Sequence, residues 1–408
     1  MPTRVRARGV CYTRRVSRVS PFVGLLFDRA SVGSLDLVTT PPYDVISPLE
    51  QRRFRDLSPY NVIRLELGED LPGDDDEDNK YRRAAAGFGR WRAEGVLRST
   101  RGPEYYAYEM RFLLQGRPRR LRGLIGAVEL EDWGGSILPH ERTMTGPVED
   151  RLRLVRAVKA NLSSIQAVFR GPVGPLADVL ERSAAQPPEA ETTDEAGVEH
   201  RLWLVDPDRA DVEAWLADES LMIADGHHRY TMSLRYRDEM RKRHGSGPWD
   251  HVMMLLVDSA VEDPPVLPYH RILAEGDPGD TGAHVLDLHE ILDAVDDEEL
   301  VYGLVTLDQG VLSHHVVRLE GEPPTVRLLH EGALAGRDDA LTFTHDAVEA
   351  EEAVRHGGAA AAYILPRTNS LRIRAVIDRG DRLPQKSTFF WPKPRSGMVI
   401  RPLDGDIS

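Results

Sequence analysis

A single cysteine, Cys11, stands among 408 residues, which excludes a disulfide within the chain and any zinc site built on thiolates. No apolar run approaches the roughly 18 residues of a membrane-spanning helix. Basic charge is also in short supply. The chain has 52 Lys and Arg against 66 Asp and Glu, a formal net charge of -14. That balance repels phosphate backbones on average and argues against non-specific nucleic-acid binding. No Gly-x-Ser-x-Gly elbow occurs, nor a Gly-x-Gly-x-x-Gly turn after a strand. Together these absences predict a globular cytoplasmic chain with no membrane or nucleic-acid partner.

The remaining composition is ordinary, 41% hydrophobic and 29% charged. The length exceeds one core of usual size, so several parts are expected. Residues 1–20 carry six arginines and no acid, which reads as a basic, disordered tail. Residues 21–185 read as an N-terminal α+β domain, and 186–198, rich in Pro, Glu, Thr and Ala, as a linker or long loop. A compact strand–helix alternation fills 199–275, and a C-terminal α+β region spans 276–408. The fold class expected is therefore mixed α/β, of α+β type. Within it, Ser47-Pro48-Leu49-Glu50 has the pattern of a capping box opening a helix, and 61–65 alternates like a strand.

The strongest chemical constellation is Asp225-Gly226-His227-His228-Arg229-Tyr230, after the apolar run Leu221-Met222-Ile223-Ala224. A strand is predicted to end at Asp225, Gly226 to permit a sharp turn, and a helix to begin at once. Helix-start amides and the helix dipole then converge on one spot suited to an anion. Arg229 can grip a phosphate with two parallel hydrogen bonds, and Asp225 can hold magnesium or a substrate hydroxyl. The same residues admit a purely structural role, with Asp225 as a cap and Arg229 in an internal ion pair. Adjacent histidines do not both face one metal from a helix, so zinc is not expected there.

A second cluster, His140-Glu141-Arg142-Thr143, precedes a helix expected from Pro147. Glu141 is the candidate general base, and His140, Arg142 and Thr143 are candidate pocket residues. A third runs from Pro384 through Lys386-Ser387-Thr388 to Phe389-Phe390-Trp391-Pro392-Lys393. It lacks the glycines of a Walker loop, yet Lys386 is a candidate phosphate ligand. His270 and Arg271, after Pro268-Tyr269, are candidates for the same pocket.

The ordered series PPYDVIS, NVIRLELG, LPHERTMTGPVEDRL, ADGHHRY, LPYHR and PQKSTFFWPKPRSG resembles the bacterial and archaeal family known as domain of unknown function 1015. The resemblance runs from about Pro21 to the C-terminus. ADGHHRY is further similar to the phosphate loop of the ParB/sulfiredoxin superfamily, whose free-serine kinase branch carries a DGHHR segment. The resemblance implies nucleotide binding by Gly226, His227, His228, Arg229 and Tyr230, with Asp225, His227 and His228 taking part in catalysis. It implies ATP or ADP as donor, magnesium at Asp225, and a small hydroxyl acceptor such as free serine. Sulfiredoxins need a cysteine in this loop, so sulfinic-acid repair is not expected. The reading is a nucleotide-dependent phosphotransferase. The alternatives are a non-catalytic nucleotide-binding regulator and a phosphohydrolase or nuclease.

Overall fold

The structure is a computed structural model describing residues 19–140, 145–171, 174–207 and 219–404, together with Val212 and Leu216. It is a mixed α/β protein built on two main sheets. The first holds strands β1 (Val19–Ser20), β2 (Tyr105–Leu114), β3 (Arg117–Glu129), β4 (Ile137–Leu138), β5 (Ile165–Phe169), β6 (Ala190–Thr193), β7 (Glu199–Val205), β8 (Leu221–Asp225) and β9 (His251–Asp258). Their order is β4-β8-β5-β9-β3-β2-β7-β6, with β1 on β3. The β4–β8 and β5–β9 pairs are parallel, whereas β8–β5 and β9–β3 are antiparallel. Strands from 21–185 and from 199–275 thus interleave in one sheet. The stretch expected as a linker supplies its edge strand β6, because Ala190 and Thr192 turn inward while Glu191 and Thr193 face solvent.

Side-chain alternation along these strands feeds two cores. Tyr106, Tyr108, Ile125, Met253 and Leu255 join one, and Tyr105, Ala107, Leu124, Met254 and Leu256 join the other. The first core is covered by helices α1 (Pro48–Leu57), α2 (Ile63–Glu66) and α3 (Lys80–Ala93), of which α2 and α3 bury Leu65, Phe88 and Trp91 there. The α1 start carries the expected capping box, with Ser47 and Glu50 hydrogen-bonding reciprocally. The strand expected over 61–65 is instead α2. Asn61 Oδ1 accepts from the Ile63 amide at 3.0 Å, a cap that favours a turn of helix over the alternating pattern.

Helix α4 (Thr145–Val158) presents Val148, Leu152 and Val155 to Met232 and Tyr236 of α6 (His227–His244), while α5 (Pro175–Ala184) packs on the second core. The other main sheet, over 270–364, has its own core, which Met222 and Ala224 of β8 join. The chain then returns to the beginning of the fold. Ser396 pairs with Thr40, Ile400 exchanges two backbone hydrogen bonds with Leu25, and Arg401–Pro402 pairs with Ala160–Asn161.

Candidate functional site

Two parallel strands, β4 and β8, end side by side, and ligands in α/β sheets gather at such carboxyl ends. The β8 register shifts between Ile223 and Asp225, and Gly226 follows with φ at +98°. Helix α6 begins at His227, so the turn expected from the sequence is present. A Cβ at Gly226 would lie 3.0 Å from Arg229 Nε, so glycine serves both the left-handed backbone and the guanidinium folded beneath it.

A pocket of about 270 Å³ opens there. Its wall includes Asp225, Gly226, His227, His228 and Arg229 from the turn, and His140 from beyond β4. Tyr43 and Asp44 come from the N-terminal part, and Lys386, Thr388, Phe389, Phe390 and Lys393 from the C-terminal segment. His140 ties these together. Its Nδ1 lies 2.7 Å from the Ile223 carbonyl, its Nε2 lies 2.6 Å from Thr388 Oγ1, and its ring meets His227 edge-on at 4.5 Å. The His140 amide donates to His227 Nε2 at 3.3 Å, which requires a neutral His227 with its proton on Nδ1.

Charge is balanced inside the pocket. Lys393 Nζ lies 2.6 Å from Asp225 Oδ1 and 2.6 Å from Asp44 Oδ2. Burial would lower the Lys393 pKa, but these two carboxylates hold it above the usual lysine range. Burial likewise works against ionised Asp44, yet Lys393 and Arg229 keep it well below the carboxylate range. Burial, reinforced by Asp44, pushes the Tyr43 phenol up to about 12. Lys386 makes no ion pair among the described residues. Its ammonium sits 5.1 Å over the Tyr269 ring.

Arg229 departs from its expected role. It is buried, with NH2 on Asp225 Oδ2 at 2.5 Å and NH1 on Ser163 Oγ at 3.0 Å and the Ser164 carbonyl at 2.7 Å. Ser163 in turn donates to Glu66 Oε1 at 2.6 Å. NH1 and NH2 of the guanidinium expected for phosphate are therefore spent on the protein, Nε has no partner among the described residues, and Arg229 orients Asp225. Tyr230 also turns away. Its ring packs on Trp133 and its hydroxyl donates to the Glu131 carbonyl at 2.7 Å, in the core under the helix. His270 lines a separate cavity and accepts from the Leu365 amide at 3.0 Å. Arg271 is fully buried and donates to the carbonyls of Tyr269 and Gln385, two pocket-lining residues, so it supports the wall from behind. Glu141, Arg142 and Thr143 lie outside the described residues.

Asp44 and Lys393 were not foreseen as site residues, although both stand in proline-flanked motifs, PPYDVIS and WPKP. For magnesium, Asp44 and Asp225 aim at one point, as two carboxylates sharing a cation must, and the Lys393 ammonium occupies that point. Among the described residues no group of three or more His, Cys, Asp or Glu could enclose a metal. A divalent cation could reach these two carboxylates only by displacing Lys393.

The family profile described as "Protein of unknown function (DUF1015)" matches residues 19–324. The chain belongs to this family. The match to DUF1015 stops before PQKSTFFWPKPRSG, the segment that brings Lys386 and Lys393 into the pocket. No curated protein matches the sequence. Among solved structures, a free serine kinase in complex with AMP has 13% identity and a TM-score of 0.34, covering 66% of this DUF1015 chain and 88% of its own. SbnI with a C-terminal truncation, from Staphylococcus aureus, has 12% identity and a TM-score of 0.39, covering 69% and 91%. A conserved hypothetical protein from Pyrococcus furiosus has 14% identity and a TM-score of 0.33, covering 63% and 90%.

Proposed function

We propose that the pocket binds a nucleotide by its phosphates and transfers a phosphoryl group to the hydroxyl of a small molecule, free serine being the first acceptor to test. The observation that carries this reading is the convergence of Lys386, Lys393, His228 and the α6 N-terminus on one pocket. Lys386 makes no ion pair among the described residues, which suits it to the terminal phosphates. Tyr269, Phe389 and Phe390 give the same pocket an aromatic wall on which a base can stack. Asp225 and Asp44 are the residues that would hold magnesium arriving with ATP or ADP, where it would offset phosphate charge.

In the transfer, the acceptor oxygen bonds to the terminal phosphorus and the bond to the leaving phosphate oxygen breaks. The hydroxyl proton passes to a carboxylate. We assign that base to Glu141, the neighbour of pocket-lining His140. Asp44 is a weaker base, because Lys393 and Arg229 hold it ionised.

The test is magnesium-dependent nucleotide consumption with a panel of hydroxyl amino acids, comparing wild type with Lys386→Ala and Glu141→Gln. Phosphoserine formation that falls about 100-fold or more in Glu141→Gln, with nucleotide still bound, supports the reading. Nucleotide binding with no turnover would favour a regulatory protein. Phosphate release without any acceptor would favour a hydrolase. Wild type that binds no nucleotide would overturn all three.

A further inference from the structure

A cavity of about 700 Å³ opens beside the strand His270–Leu273 of the other main sheet and shares no lining residue with the pocket at the α6 N-terminus. Its size suits a small organic ligand. Alternation along an extended chain sets the two cavities back to back. Tyr269 lines the first, and Pro268 and His270 on either side of it line the second. His345 of the second packs its ring on Phe389 of the first at 5.0 Å.

One buried donor faces this cavity. His270 is 3% exposed, and its Nδ1 accepts from the Leu365 amide at 3.0 Å. Burial, and after it the Arg271 cation, lowers its pKa to about 4, so near neutral pH the ring is uncharged and its proton sits on Nε2. That N–H has no partner among the described residues, and it is not sealed from solvent, so it reaches the cavity. Much of the charge around it is already paired. Arg372 holds Asp297 at 3.1 Å and Glu298 at 2.5 Å, and Asp297 also accepts from Thr325 and Thr368. Asp296 turns Oδ1 to the amides of Glu298 and Glu299. Arg367, two residues after Leu365, makes neither an ion pair nor a hydrogen bond among the described residues. Partial burial alone, with no carboxylate acting against it, draws Arg367 below the usual arginine value. Asp346 caps the helix Ala347–Arg355 through Oδ1 and makes no ion pair among the described residues. It lies near enough for its charge to act on the His270 ring. Opposite charges that line one cavity without meeting leave room for a ligand that carries both signs.

We propose that this cavity binds a small zwitterion, an amino acid or a dipeptide, whose carboxylate meets Arg367 and the His270 N–H and whose ammonium meets Asp346. A guanidinium matches a carboxylate with two parallel hydrogen bonds, and a neutral imidazole adds a donor without adding charge. An anion alone would face Asp296 and Asp346, and a cation alone would face Arg367. Leu267, Leu292, Val295 and Leu365 add an apolar border that suits an apolar side chain. The site stands independently of the nucleotide reading.

The experiment is calorimetric titration of the full-length protein with L-phenylalanine and with L-leucyl-L-phenylalanine, using wild type, Arg367→Ala, Asp346→Asn and Lys386→Glu. Arg367 makes no contact that folding needs, and asparagine at 346 keeps the helix cap while removing the charge, so both variants fold, and melting curves check this. The expected result is a wild-type site for at least one probe, weakened about tenfold or more in Arg367→Ala and in Asp346→Asn and retained in Lys386→Glu. The probe that binds separates an amino-acid site from a dipeptide site. Its N-acetylated and C-amidated forms, each lacking one charge, bind about tenfold more weakly. Wild type that binds neither probe overturns the proposal, as does an Arg367→Ala isotherm that superimposes on wild type. A signal lost in Lys386→Glu alone also overturns it, because the probe would then sit in the pocket at the α6 N-terminus.

Discussion

The Lys393 ammonium lies 2.6 Å from the Asp225 carboxylate, in a pocket where Asp225 also holds Arg229. The lysine comes from the last part of the chain and the aspartate from the end of a central strand. With Asp44 on its other side, Lys393 is the ion around which the pocket is organised.

Lys393→Met therefore leaves two carboxylates facing each other with one cation fewer. Removing one partner of a buried pair costs roughly 3–5 kcal/mol. Here about 2 kcal/mol is expected, because the Asp44 side chain is 30% exposed and partly screened. Urea unfolding near neutral pH measures it. The folded pKa of Asp44 is depressed, so its contribution is present above its unfolded value of 3.8 and lost as pH falls through the folded value. Lys393→Met should flatten that acid limb. An unchanged limb would show that the pair adds nothing to stability.

Gly226→Ala is expected to cost more than Gly116→Ala. Both glycines have positive φ, at +98° and +70°, so both replacements pay about 1 kcal/mol of backbone strain. At Gly116 the new methyl meets open space, whereas at Gly226 it presses on Arg229. Gly226→Ala should also weaken anion binding at the α6 N-terminus. Equal melting temperatures for the two variants would contradict the close approach of Arg229.

Three histidines make stability depend on pH in a definite window. Burial first, and a neighbouring arginine second, lower His251, His270 and His330 from 6.5 to about 4. Between those values the unfolded chain takes up protons that the folded chain refuses. Stability is thus full above 6.5 and declines as pH falls toward about 4, by up to about 1.4 kcal/mol per pH unit for each group. His270→Asn keeps a side-chain acceptor for the Leu365 amide and removes one titration. Its slope of unfolding free energy against pH should be visibly shallower than that of wild type.

Tyr230→Phe tests the reassignment of that residue from ligand contact to core. Losing the hydroxyl leaves the Glu131 backbone without its partner, a cost of about 1 kcal/mol. Nucleotide affinity should be unaltered. A large loss of affinity at unchanged stability would return Tyr230 to the pocket.

Local features were legible in the sequence where a few neighbouring residues decide the outcome. The strand–turn–helix at Asp225-Gly226-His227 needs one glycine and one apolar run, and the Ser47–Glu50 capping box needs four residues. The errors arose where distant contacts win. Asn61-Val62-Ile63-Arg64-Leu65 alternates like a strand, but Asn61 caps a helical turn. Arg229 has the composition of a phosphate ligand, yet Ser163, Ser164 and Asp225 claim its NH1 and NH2. The meeting of residues 44, 225 and 393 has no local periodicity at all, so one sequence does not announce it.

The return of the C-terminal segment to Thr40, Leu25 and Asn161 has a consequence for biosynthesis. The wall that carries Lys386 and Lys393 leaves the ribosome after every other part of the pocket, and the same stretch completes the core of the first sheet. A nascent chain stalled before Pro384 would hold the α6 turn with no lysine wall. The pocket can therefore acquire its charge balance only once Lys393 has been made, and ligand binding by stalled chains of increasing length would date that moment.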